Sequence, residues 1–234
     1  MRVYCVGDIH GRNDLLCEML GLVEFHKRHY TGDVKYVFLG DYIDRGEDSK
    51  KVLDTLIDFG RMHDGVCFLR GNHEQVLLDF LQDPLVAKNW LVYGGIDTLI
   101  SYNVPVRKMP SVEGDFRELQ KGLMQKIPPA HLKFLRSCEL FFELGNCFFV
   151  HAGISPDVPL QEQREEDLLW IKDEFVRSNQ KYSKLIVHGH SIEDEPVVNH
   201  NRIGLDTGAY VTGKLTCGVF EGDHIEFLTT TATH

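Results

Sequence analysis

"VGDIHG", residues 6 to 11, ends the apolar run Val3, Tyr4, Cys5, Val6 and sets an aspartate and a histidine two apart among glycines. A strand core has no use for Asp8 and His10. If extended geometry persists past Val6, alternate residues share a face and the two polar side chains point the same way. Gly7 and Gly11 carry no side chains, so the backbone can turn and something small and polar can come close. A metal ion meets that description.

The same unit recurs twice downstream. Apolar strands are expected at 3–6, 36–39 and 66–69, each followed by a glycine-bearing polar motif and an amphipathic pattern, over about 12–29, 47–59 and 74–82. This alternation predicts an α/β fold with a largely parallel sheet, helices packed on it, and ligands at the carboxyl ends of its strands. Between about 83 and 137, Pro84, Gly94, Gly95, Pro105, Pro110, Pro128 and Pro129 break the pattern into short helices and loops, read as an insert over the site. Strands at 140–144 and 147–150 joined through Gly145 and Asn146 form a hairpin, and further strands are expected at 185–187, 202–205, 215–220 and 224–228. The late region therefore reads as a second sheet on the first, within a single domain over 1–234. The polar end "TTTATH" (229–234) reads as frayed.

A length of 234 residues at 43% hydrophobic content is enough for one sizeable core. With 25 Lys and Arg against 35 Asp and Glu, the net charge of -10 argues against a partner held by nucleic-acid phosphates. An anionic substrate needs a local positive site. No run approaches a membrane span and no secretory pattern precedes Asp8, which predicts a cytoplasmic protein without a membrane partner. Six scattered cysteines without a CxxC pair read as buried reduced thiols. Nothing in the sequence sets the oligomeric state.

Five polar motifs follow the strands: "GDIHG" with Asp8 and His10, "GDYIDRG" with Asp41, Asp44 and Arg45, "RGNHE" with Arg70, Asn72 and His73, "VHAG" with His151, and "VHGH" with His188 and His190. Alone, GNHE reads as a helix cap with Asn72 in the capping position. His26, His29, His63, His131, His200, His224 and His234 have no such context and read as surface or satisfied core residues. Five motifs at strand ends make a constellation, and carboxylates mixed with imidazoles suit manganese, iron or zinc. An aspartate shared by two ions would make a two-metal site.

In this order the motifs resemble the calcineurin-like metallophosphoesterase superfamily, and most closely the bacterial and bacteriophage-type serine/threonine phosphatase branch of the phosphoprotein phosphatase family. "DLLWIKDEF" (167–175) and "IGLDTGAYVTGKLT" (203–216) carry the similarity over nearly the whole chain. The resemblance implies a two-sheet β sandwich flanked by helices, with two divalent ions, manganese first among them, at the strand carboxyl ends. It implies Asp8 and His10 as ligands of the first ion, Asp41 as the bridge, and Asn72, His151 and His190 as ligands of the second. It implies His73 as general acid with Asp44 as its orienting partner, Arg45 as a phosphate clamp, and Arg70 as a second phosphate contact or a supporting residue.

The chemistry agrees. Two ions about 3.5 to 4 Å apart activate a water and hold a phosphoryl oxygen for in-line attack. A serine or threonine alkoxide leaves poorly and needs a proton, which an imidazole tied to a carboxylate provides. Arginine matches phosphate with a planar fork. His188 shares an extended face with His190 and competes for its role, but the family's Gly-His pair favours His190. The branch carries an arginine where this chain has Lys172, so either Lys172 or Arg164 completes the phosphate site, and "HSIEDEP" (190–196) departs from the threonine and proline of many relatives. Trp90 and Trp170 read as packing residues rather than a substrate groove, and Tyr42 as structural.

The function implied is hydrolysis of a phosphoprotein or small phosphoester, by a serine/threonine protein phosphatase. The rival is a symmetrical diadenosine tetraphosphatase, which shares fold and metals but typically lacks the DRG and reads GNHD. A catalytically silent binding scaffold should have lost a ligand or the acid, and none is missing.

Overall fold

A computed structural model describes residues 1–231 of the chain. β1 (Arg2–Val6), β2 (Val34–Phe38) and β3 (Val66–Phe68) run parallel, with β2 between its neighbours. Each feeds a helix: α1 (Asn13–Lys27), α2 (Ser49–Met62) and α3 (Asn72–Phe80). Alternation along β1 explains the layering. Tyr4 and Val6 pack with Leu16, Met19, Leu53 and Leu56 on the helical side, while Val3 and Cys5 join Val37, Leu39, Phe149, Val187 and Ile203 between the sheets.

The insert forms four α-helices, α4 (Ala87–Trp90), α5 (Ile96–Ser101), α6 (Glu113–Lys126) and α7 (Pro129–Ser137), with a 3-10 turn over Pro84–Val86 and a π-helical turn over Leu91–Gly95. It packs into the helical-side core through Trp90, Leu99, Phe116, Leu123 and Leu135. The hairpin at Gly145 and Asn146 is present as β4 (Phe141–Leu144) and β5 (Cys147–Val150), with Gly145 at a left-handed φ of 57°. After α8 (Glu165–Trp170) and α9 (Asp173–Val176) come β6 (Leu185–His188), β7 (Val197–Val198) and β8 (Arg202–Gly204), completing a sheet of order β4-β5-β6-β8-β7.

Three expectations are corrected. After α10 (Ala209–Thr212), the last strands β9 (Thr216–Glu221) and β10 (His224–Thr229) return to the first sheet, antiparallel, giving the order β10-β9-β1-β2-β3. That placement keeps the edge of β1 paired, and makes the first sheet mixed. The start of "TTTATH" is not frayed: Thr229 ends β10, and Thr230 is buried and exchanges hydrogen bonds with Leu215, while residues 232–234 lie outside the described part. All six cysteines are free, but Cys17 is exposed on the outer side of α1. No helix among the described residues is long and apolar enough to cross a membrane.

Candidate metal centre

The loops after the strands are bent in a way that ordinary side chains resist. Six non-glycine residues among those described have positive φ, and five of them belong to the motifs: His10 at 46°, Asp41 at 49°, Asp44 at 71°, Arg45 at 67° and His190 at 59°. Each such residue costs about 1 kcal/mol or more. His10 is therefore not extended; it sits in a left-handed turn, with its ring beside Asp41 and His73. Glu74, fully buried, stabilises the bend: its carboxylate accepts the backbone N–H groups of Gly71 (2.9 Å), Asp41 (2.8 Å), Tyr42 (2.8 Å) and Ile43 (3.3 Å). Glycine is required at Gly71 because a Cβ would strike the Asp41 carboxylate. Tyr42 is structural, donating its hydroxyl to the carbonyls of Leu69 and Phe38.

Asp41 is the centre. His10, Asp41 and His73 offer ligand atoms within 4.8 Å of one another, and so do Asp41, His151 and His190. Asp41 Oδ2 lies 3.4 Å from His10 Nε2, and Oδ1 lies 3.4 Å from His151 Nε2. Asp41 Oδ1 also accepts the His73 N–H at the start of α3 (3.1 Å). Burial works against its charge, but the imidazoles of His151, His73 and His10 hold it below the usual carboxylate range. α3 begins at Asn72, two residues earlier than the sequence pattern predicts, with Gly71 rather than Asn72 in the capping position. The Asn72 carboxamide is thus free to face His151 (2.8 Å) and His190 (3.1 Å).

The donor set fits cations. His151 Nδ1 lies 2.9 Å from the Leu39 carbonyl and His10 Nδ1 2.9 Å from the Ile43 carbonyl, so both must carry their protons there. Burial keeps both rings neutral, His10 down to about 3. The Nε2 lone pair of His151 therefore converges with Asn72 Oδ1 and Asp41 Oδ1 with no proton between them. Asp8 adds a buried Oδ1 without any hydrogen-bond partner. Burial and the like charges of Asp206 and Asp41 hold its carboxyl well above the usual range, which a divalent ion would reverse.

His73 faces the same centre differently. Its Nδ1 is 2.6 Å from Asp44 Oδ2, leaving Nε2 toward Asp41 at 3.9 Å. Burial disfavours its charge, but Asp41 and Asp44 outweigh it and raise the imidazole to about 9. Asp44, wholly buried, is satisfied by the insert: Trp90 Nε1 donates to Oδ2 (2.7 Å) and Thr98 Oγ1 to Oδ1 (2.5 Å). Arg45 reaches into the centre, 3.0 Å from His10 Nε2 and 3.2 Å from His73 Nε2, with its guanidinium 4.7 Å from the Tyr210 ring centroid.

Other predicted residues are placed elsewhere. His188 turns from the centre toward Arg202 (3.1 Å), which leaves His190 beside Asn72. Arg70 is held by Gln75 Oε1 (3.0 Å) and the Cys138 carbonyl (3.2 Å), with Glu165 at 3.6 Å, so its contacts lie outside the histidine–aspartate cluster. Arg164 is exposed and paired with Asp167. Lys172 is exposed between α8 and α9 and its charge is felt by His190. Trp170, expected to pack, is 46% exposed with its ring 6.5 Å from that of His190. Trp90 packs as expected and also donates to Asp44. Tyr210, Thr98, Glu74 and Asp206 were not singled out by the motifs; only "DTG", whose Asp206 Oδ1 accepts the Gly208 N–H (2.9 Å), was a local turn signal for α10.

Two sheets with a buried aspartate–histidine–asparagine cluster at the strand ends define a metal-dependent phosphoesterase architecture. The chain belongs to the calcineurin-like phosphoesterase family, whose model matches residues 1–223. Its relatives include an asymmetrical bis(5'-nucleosyl)-tetraphosphatase of Anoxybacillus flavithermus, 25% identical over 232 residues that cover 90% of this chain and 87% of that one. A protein of the same name from Oceanobacillus iheyensis is 24% identical, covering 92% and 87%. Among solved structures, a protein serine/threonine phosphatase of Saccharomyces cerevisiae shares the fold at a TM-score of 0.57 and 18% identity, covering 100% of this chain and 81% of that one. A cold-active protein-tyrosine phosphatase of a Shewanella species does so at 0.59 and 18%, covering 97% and 80%.

Proposed function

We propose that the chain is a dinuclear-metal hydrolase that acts on dinucleoside polyphosphates. The observation that carries the chemistry is Asp41, shared by a His10–His73 cluster and a His151–His190 cluster, with His73 tied to Asp44. Two divalent ions held there would supply an activated water and Lewis acidity, and manganese suits the mixed oxygen and imidazole ligands best. Asp8, His10 and Asp41 would hold the first, and Asp41, Asn72, His151 and His190 the second. Arg45 binds the phosphoryl oxygens from the side of Tyr210, and His73 delivers the proton from Nε2 to the departing oxygen while Asp44 keeps its Nδ1 proton in place. The substrate class is supported by the two relatives matched over nearly their whole length, both named as nucleosyl tetraphosphatases.

A second reading is a phosphomonoesterase acting on phosphoserine or phosphothreonine. The His73–Asp44 pair favours it, because an alkoxide needs a proton far more than a nucleotide phosphate does. A substrate panel decides: diadenosine tetraphosphate, p-nitrophenyl phosphate and phosphoserine and phosphothreonine peptides, each with manganese and after chelation. The first reading expects the highest kcat/KM on the dinucleotide. A preference for phosphopeptides of tenfold or more replaces it with the second, and turnover undiminished after chelation removes both.

A further inference from the structure

A cavity of about 320 Å³ lies between α3, α6 and α7, lined by Arg70, Gln75, Leu78, Gln82, Leu132 and Arg136 with Leu81 and Met124 beside them. Arg70 precedes Asn72 by two residues, and Gln75 and Leu78 follow it along α3, so the cavity wall and a proposed metal ligand share one short stretch of chain. Gln75 stands roughly 5 Å along the helix axis from Asn72. The cavity wall therefore begins about one helical turn along the chain from a proposed metal ligand.

Its chemistry is unusual for this molecule. On a chain of net charge -10, two guanidiniums and two carboxamides face an apolar floor of leucines with no acidic residue in the lining. Glu165 stands 3.6 Å from Arg70, but it is half exposed and can yield. Arg136 is exposed and carries no ion pair among the described residues. Arg70 keeps a buried Nε without a partner.

We propose that Arg70 serves a second anion subsite, shared with Arg136, which takes the distal nucleoside phosphate of a polyphosphate-bridged substrate. The guanidiniums bind its phosphates, and Gln75, Gln82 and the leucine floor meet the nucleoside. This rests on the dinucleotide reading above and assigns the half of the substrate that the metal centre does not hold.

Arg136→Glu tests it, since the side chain is exposed and pairs with no acidic residue among those described. The KM for diadenosine tetraphosphate should rise about tenfold relative to the KM for p-nitrophenyl phosphate, which is too short to enter the cavity. Chelator-treated protein titrated with ADP in a calorimeter should bind it, and Arg136→Glu should weaken that binding about tenfold. An unchanged KM ratio, or ADP binding that is absent or indifferent to the substitution, overturns the subsite. If the parent fails to cleave diadenosine tetraphosphate, the dinucleotide reading falls by itself, and Arg136-dependent ADP binding still upholds the anion site.

Discussion

The strand-end loops and the helical insert both build the site, but by opposite routes. Each loop places its chemistry within a few residues of the strand that positions it: Asp8 and His10 after β1, Asp41, Asp44 and Arg45 after β2, Asn72 and His73 after β3. The insert contributes no motif to the metal centre. Trp90 and Thr98 come from two different helices, 46 and 54 residues from Asp44, and reach the site through that one residue, both donating to its carboxylate while Thr98 Oγ1 also accepts its backbone N–H. Chemistry carried by a loop is thus visible as a motif, whereas chemistry carried by packing looks like ordinary core until the fold is known.

If the loops supply the reacting groups and the insert only holds them, substitutions in the two regions should differ in size and in kind. His73→Asn should lower kcat on an alkyl phosphate by roughly a hundredfold, the scale of a lost general acid, with a smaller loss on p-nitrophenyl phosphate, whose leaving group needs little protonation. Equal losses on both substrates would make His73 a positional residue and blur the distinction. Thr98→Val should cost about tenfold on the alkyl phosphate by removing one donor to a buried carboxylate. In a His73→Asn background the same substitution should cost almost nothing, and a full tenfold loss there would mean that the insert acts by another path.

Smaller effects sharpen the comparison. Tyr210→Leu removes the ring stacked on Arg45 and should weaken inhibition by inorganic phosphate about fivefold, while Tyr210→Phe retains it. Lys172→Ala should weaken it only about twofold, since an exposed ammonium is screened by solvent, and Arg164→Ala should have no effect because that side chain is held by Asp167. Phosphate inhibition curves for the four variants measure all of this, and a larger effect at Arg164 than at Lys172 would reverse the assignment of the second cation.

The same contrast explains what the sequence made legible. The β-α repeat and the hairpin at Gly145–Asn146 were readable because each is set by neighbouring residues. The return of β9 and β10 to the first sheet was not, because their alternation is equally compatible with either sheet and only the unpaired edge of β1 decides. At the site, the motifs make Asp41 and its imidazole neighbours conspicuous, yet His10 sits in a left-handed turn rather than in the extended geometry that strand alternation predicts. Glu74 stands in plain view in GNHE, but its service to the N–H groups of Asp41, Tyr42 and Ile43 depends on a loop more than thirty residues earlier. Arg70 shows the converse: its motif pointed to the reacting phosphate, and its hydrogen bonds lead to α3 and Cys138 instead.

The account turns on Asp41 lying between two cation sites. Metal analysis of the purified protein loaded with manganese and freed of excess metal, set beside Asp41→Asn, tests it most directly. The parent should retain two ions per chain and the variant should lose both together with its turnover, because the same carboxylate faces both imidazole clusters. A parent that turns over with no ion bound, or an Asp41→Asn variant that still holds two, would contradict it.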